Sequence, residues 1–166
     1  MMFLHSYFQK KIIKKNNVIL KSKKDLLLFI DNSDLNITYL INKLNKKGLV
    51  GTSFDDYIDK IDAIEKYYED EFLNETIDEQ QKLRLAFWSF FVKLLIRELG
   101  GELQIAPKND YSEGTPQLIN YGNRFDKKGK RKWIGISFNS WLESHISKKN
   151  LVSLKGKVNK LIEDYS

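Results

Sequence analysis

The sequence predicts an α+β fold, and three observations carry that expectation. Apolar residues recur with helical spacing up to Leu99. Three short apolar runs follow between Leu103 and Phe138, separated by turn-rich stretches. Helical spacing then returns to the C-terminus. Helices, a small sheet and helices again describe segregated layers rather than alternating βαβ units. The expected architecture is N-terminal helices, a buried central helix, a three-stranded antiparallel meander and C-terminal helices, in a single domain over residues 1–166. A domain of this length buries roughly 68–70% of its unfolded surface, enough for a core without staples.

Taken in order, Phe3, Leu4, Tyr7, Phe8 and Ile12 suit a basic amphipathic helix, and Val18-Ile19-Leu20 suits a short strand or a helix contact. Ser22-Lys23-Lys24-Asp25 resembles a capping box with Asp in place of Glu and opens a helix through Ile30. Asp31 to Asp34 breaks it and caps the next, whose stripe is Leu35, Ile37, Leu40, Ile41 and Leu44 and which Gly48 stops. Thr52 or Ser53 caps a further helix with the stripe Phe54, Ile58, Ile61, Ile64, Tyr68 and Phe72. After a break at 74–78, Glu79 to Leu99 is apolar nearly all round, so this helix is expected at the centre of the core, with Phe87, Phe91 and Leu95 buried. Gly100-Gly101 ends it. Leu103 and Ile105, then Leu118 and Ile119, then Trp133, Ile134, Ile136 and Phe138 read as three strands. Asn139 or Ser140 caps a helix bearing Trp141, Leu142 and Ile146, and Leu151, Leu154, Val158, Leu161 and Tyr165 form the stripe of the last.

Composition excludes several chemistries. The chain has no Cys, so thiol nucleophiles, disulfides and Cys zinc sites are ruled out. Its two histidines, His5 and His145, cannot make a His-rich metal site, and His145 reads as a surface or interface imidazole. Gly100-Gly101 follows a helix rather than a strand, so no dinucleotide or phosphate-loop fingerprint is present. No catalytic residue and no cofactor is therefore assigned. The longest apolar run, Phe87 to Ile96, is interrupted by Ser89 and Lys93, and no membrane span is expected. Basic residues follow the apolar ones at the N-terminus, the wrong order for a secretory signal, so the expected compartment is the cytoplasm.

Charge is segregated along the chain. Residues 1–49 carry ten Lys and three Asp, residues 50–81 carry two Lys and eleven acids, and residues 82–166 carry sixteen basic and eight acidic residues. The net charge of +6 is weak evidence for a nucleic-acid partner, because only four of the 28 basic residues are Arg and base readers lean on Arg. In the acidic block, Asp55, Asp59 and Asp62 stand at i, i+4 and i+7, so they share a face of the predicted helix. Together with Asp56, Glu65 and Glu69 they suit a solvated helix face or a partner-binding face, and the latter is the candidate site. No calcium-loop spacing supports a cation there, and no metal is expected. The other pointed feature is Lys127, Lys128, Lys130, Arg131 and Lys132, a basic turn flanked by Phe125 and Trp133. It suits a grip on a phosphate backbone, or a charged turn that keeps a hairpin soluble.

Two stretches carry a resemblance. Gly51-Thr52-Ser53-Phe54-Asp55-Asp56-Tyr57-Ile58-Asp59, and Val92 to Leu103 with its Gly-Gly helix end leading into a strand, resemble small uncharacterised bacterial domains encoded beside polymorphic toxins, candidate immunity proteins. The similarity spans residues 35–138. Val92 stands where that group prefers a small residue and Leu103 where it prefers Trp. The resemblance implies a non-enzymatic role, binding and neutralising a cognate toxin, and transfers no individual functional residue. The leading expectation is a protein-binding protein acting through the acidic face. The alternative is a nucleic-acid-binding module using the basic turn and the Lys-rich N-terminus, with weak non-specific affinity at most.

Overall fold

The computed structural model describes residues 19–149 and 152–166. Expectations for Phe3, Leu4, Tyr7, Phe8, Ile12, Val18 and Leu151, and for the lysines before Lys21, lie outside the described residues. The α+β expectation holds. In chain order the elements are α1 (Lys23–Asp31), α2 (Ser33–Lys46), α3 (Phe54–Tyr57), α4 (Ile61–Glu71) with a 3₁₀ turn (Phe72–Asn74), α5 (Ile77–Leu99), β1 (Glu102–Ile105), β2 (Pro116–Ile119), β3 (Ile136–Ser137), α6 (Phe138–Ile146) and α7 (Leu154–Tyr165).

Local chemistry sets most of these boundaries. Ser22 and Asp25 close a capping box at the start of α1, with each side chain accepting from the other's backbone N–H. Ser53 and Asp56 do the same for α3. Helix α5 begins two residues earlier than its apolar pattern suggests, because Thr76 Oγ1 accepts the Glu79 N–H at 3.2 Å.

Helix α5 is the spine of the core. Phe87, Trp88, Phe90, Phe91 and Leu95 are all fully buried, as the all-round apolar pattern requires. Ile37, Leu40, Ile41 and Leu44 of α2 pack along it. Helices α6 and α7 close over it beside α4. The sheet has order β1-β2-β3 and is antiparallel throughout, pairing Leu103 with Leu118 and Leu118 with Ile136. Leu118 and Ile136 turn inward onto the core, while Gln104 donates to Gln117 at 2.7 Å on the outer face.

Four sequence expectations are corrected. The third strand is only Ile136–Ser137. The Tyr121 hydroxyl donates to the Ile134 carbonyl at 2.8 Å and occupies an acceptor a longer ladder would need. Phe138 instead opens α6, which is capped by Ser137 accepting from Ser140 N rather than by Asn139 or Ser140. The acidic helix is not continuous: it breaks at 58–60, where the Lys60 N–H bonds Tyr57 O at 2.9 Å and tightens the turn. The break lets Phe54 and Tyr57 bury on one segment and Ile61, Ile64 and Tyr68 on the next. His145, read as a surface or interface imidazole, is fully buried because its face of α6 turns toward α4.

Candidate functional site

Breaking the acidic helix scatters the predicted face. Asp55 lies on α3 and its Oδ1 takes Arg97 Nη1 at 2.8 Å. Asp56 is spent on the capping box, and the backbone N–H groups of Thr52 and Ser53 hold its carboxyl below the usual aspartate range. Asp59 lies in the turn and Asp62 in the first turn of α4, both exposed. Glu65 and Glu69 turn inward: Glu65 Oε2 accepts the Leu154 N–H at 2.6 Å, and Glu69 Oε1 lies 3.3 Å from His145 Nδ1. The exposed acidic surface from the expected set is thus Asp55, Asp56, Asp59 and Asp62.

The buried cluster joins three helices. His145 Nδ1 on α6 faces Glu69 at 3.3 Å and Glu65 at 3.5 Å on α4, with Lys157 of α7 close enough to affect its charge. These are the only His and acidic side chains among the described residues that gather in metal-ligand fashion, with one oxygen or nitrogen from each lying within 4.8 Å of the others. The donor set fits an ion poorly. An ion on Nδ1 would place the proton on Nε2, which is buried with no hydrogen-bond partner among the described residues. Metal-bound imidazoles need a partner there. The arrangement suits a neutral ring donating from Nδ1 to the carboxylates. Burial holds its pKa below the ordinary value, against the opposing pull of Glu69 and Glu65.

Between β2 and β3 the chain makes a second, exposed feature. Phe125 and Arg131 form an antiparallel bridge, flanked by Asp126 N to Lys130 O and Lys132 N to Arg124 O, each 2.8 Å. Gly129, at φ 79°, turns the tip, where a left-handed backbone is needed and a Cβ would meet nothing within 4 Å. Asp126 Oδ1 accepts from Lys128 N at 2.8 Å and Lys130 N at 2.9 Å, which hold its carboxyl low. The turn is therefore pinned internally by its own aspartate.

The predicted basic residues divide. Arg131 is folded back: its guanidinium stacks over the Phe125 ring at 5.6 Å and donates to Asn120 O at 3.1 Å. Lys127, Lys128, Lys130 and Lys132 are exposed, and none makes an ion pair among the described residues. The aromatic flanks, compatible in sequence with core strand positions, stand in solvent instead: Phe125 is 52%, Trp133 39% and Ile134 73% exposed. Sequence alone cannot separate the two placements, since a strand and a loop aromatic share the same local pattern. A groove of about 380 Å³ lies beside α1 and α2, lined by Ile19, Leu28, Phe29, Leu35 and Leu85 among others.

Comparison with protein-family models, curated proteins and solved structures finds no match for this chain. Among the described residues, no helix is long and apolar enough to cross a membrane.

Proposed function

We propose that this chain is a non-enzymatic binding protein that grips the phosphate backbone of nucleic acid through the turn from Arg124 to Ile134. The observation that carries this reading is the exposure of Phe125, Trp133 and Ile134 beside four lysines that make no ion pair among the described residues. Large apolar side chains exposed in one short stretch suit an interaction surface. Unpaired lysines around it favour a polyanion, because neutralising phosphates releases condensed counterions. Lysine point charges on a short turn suit backbone contact rather than base reading.

The test is fluorescence anisotropy with a labelled oligonucleotide across a salt series. Binding in the range of about 10⁻⁴ to 10⁻⁶ M, weakening linearly on a log–log salt plot, is expected. Replacing Lys127, Lys128, Lys130 and Lys132 with Gln should flatten that slope. A salt-independent Kd, or one unchanged by the four substitutions, refutes the reading.

A second reading keeps a protein partner, a toxin in line with the sequence resemblance, on the corner formed by Asp55, Asp56, Asp59 and Asp62. Their exposure favours it, although Arg97 and the capping box already engage Asp55 and Asp56. With the product of a neighbouring toxin gene as the partner, Asp59→Lys with Asp62→Lys should slow association, and added salt should shrink the difference.

A further inference from the structure

We infer that the basic turn selects single strands over duplexes, by stacking bases on the exposed rings of Phe125 and Trp133. This rests on the nucleic-acid reading above and goes beyond it, since phosphate contact alone does not distinguish strand number. The bridge between Phe125 and Arg131 is the closely spaced kind, without hydrogen bonds between the two residues themselves. The bonds lie on either side, from Asp126 N to Lys130 O and from Lys132 N to Arg124 O. Such pairs bring side chains together on one face, which accounts for the guanidinium of Arg131 lying 5.6 Å from the Phe125 ring centre.

Trp133, two residues beyond Arg131, lies outside the bridge and is a second exposed aromatic beside the turn. A ring stacked with a guanidinium and a separate exposed indole thus flank a turn whose lysines make no ion pair among the described residues. Arg131 is fixed in this stack by its bond to Asn120 O, so the planar surface is held before any ligand arrives. The apolar ring and indole remain 52% and 39% exposed, which a soluble protein does not need for solubility.

Bases in a duplex are stacked on each other and present only their edges and the backbone. A single strand can reach the lysines with its phosphates and lay a base on the indole. Each base stacked on an aromatic side chain contributes a factor of about 5 to 100 in affinity. Every base has a π-face, so the preference is for strandedness rather than sequence.

The experiment compares three labelled probes of equal length and label: oligo-dT, the same strand made abasic, and the duplex of oligo-dT with oligo-dA. Oligo-dT should bind about 5- to 100-fold more tightly than the other two and quench tryptophan emission. Trp133→Ala should bring oligo-dT down to the abasic strand, while Trp133→Phe retains most of the gap. The abasic comparison uses the unaltered protein, so it stands even if Trp133→Ala folds poorly. Equal affinity for all three probes, with the salt slope intact, overturns this inference and leaves phosphate binding standing. Failure to bind any probe, or equally tight binding of poly-glutamate that competes with oligo-dT, overturns both.

Discussion

His145 of α6 and Glu69 of α4, far apart in sequence, meet with Nδ1 3.3 Å from Oε1 inside the protein. Glu65 approaches the same nitrogen at 3.5 Å, and Lys157 faces the group from α7. The ring is fully buried and its Nε2 has no hydrogen-bond partner among the described residues, so protonation would bury an unpaired N–H. Burial therefore places the folded-state pKa below the ordinary value of 6.5. Below that ordinary value the unfolded state binds the proton more readily than the folded state. Stability is then full above about pH 6.5 and falls as the pH drops, until the folded-state pKa is passed. Urea unfolding at about pH 7.5 and about pH 5.5 should show that loss, and His145→Gln should reduce it. Glu79, held down to about 2 first by the Tyr39 hydroxyl, contributes its own loss only below the usual glutamate value of 4.5, outside this window. A wild-type stability equal at both pH values would contradict the buried neutral ring.

Phe91 lies at the aromatic centre of the core, 4.7 Å from Phe87, 5.3 Å from Phe90 and 6.0 Å from Trp141, measured between ring centres. It is fully buried, and the surrounding rings on α5 and α6 leave little room for collapse. Phe91→Ala should cost about 3–5 kcal/mol, the usual range for emptying a large aromatic position. Chemical denaturation gives the value directly, and a loss under about 1 kcal/mol would mean that the neighbours refill the space.

Much of this architecture is legible locally. Ser22 with Asp25, and Ser53 near Asp56, announce helix starts through short-range hydrogen bonds, and Phe87, Phe91 and Leu95 announce a buried helix through period alone. The candidate site is less legible, because its decisive properties are tertiary. Asp55, Asp59 and Asp62 share a face only if the helix continues, and the turn at 58–60 follows from fitting Tyr57 and Ile61 against the core. Glu65 and Glu69 look like solvated acids until α6 supplies His145. Phe125 and Trp133 look like strand residues until Tyr121 takes the Ile134 carbonyl and the ladder shortens. In each case the deciding partner is remote in sequence.

Gly101 tests the junction between α5 and β1. Its φ is +99°, and a Cβ there would come within 2.8 Å of Ile119 O and 2.9 Å of Tyr121 Cβ. The nearest obstacle is backbone of the adjoining strand, which cannot swing away as a side chain would. Gly101→Ala combines left-handed strain with that clash and should destabilise by at least about 1–3 kcal/mol. Gly129, at φ +79° where a Cβ would meet nothing within 4 Å, lacks the clash, and Gly129→Asn should be tolerated, since Asn adopts this region readily. Thermal melts of the two variants should therefore separate clearly.

The buried cation on α5 gives the sharpest contrast between two substitutions. Arg84 is fully buried, and Nη1 donates to Asn139 Oδ1 at 2.6 Å while Nε and Nη2 have no hydrogen-bond partner among the described residues. Its guanidinium lies 5.5 Å from the centre of the Phe72 ring, and burial pulls its pKa down to about 10 despite the opposing charge of Glu143. Asn139 in turn donates to Glu143 Oε1 at 3.2 Å, so it is the link between the cation and the carboxylate. Removing that link leaves the charge buried and less compensated, and Asn139→Ala should cost about 1.5–3 kcal/mol, the range for a hydrogen bond to a charged group. Arg84→Met removes the charge itself, keeps an unbranched apolar stem against Phe72, and should be close to neutral or stabilising by about 1–4 kcal/mol. In the double variant the loss from Asn139→Ala should shrink, since no cation remains to strand. Denaturant unfolding of the four proteins closes the cycle. An Arg84→Met loss as large as that of Asn139→Ala, with additive effects, would mean that the guanidinium stabilises the core through its own packing rather than through its bond to Asn139.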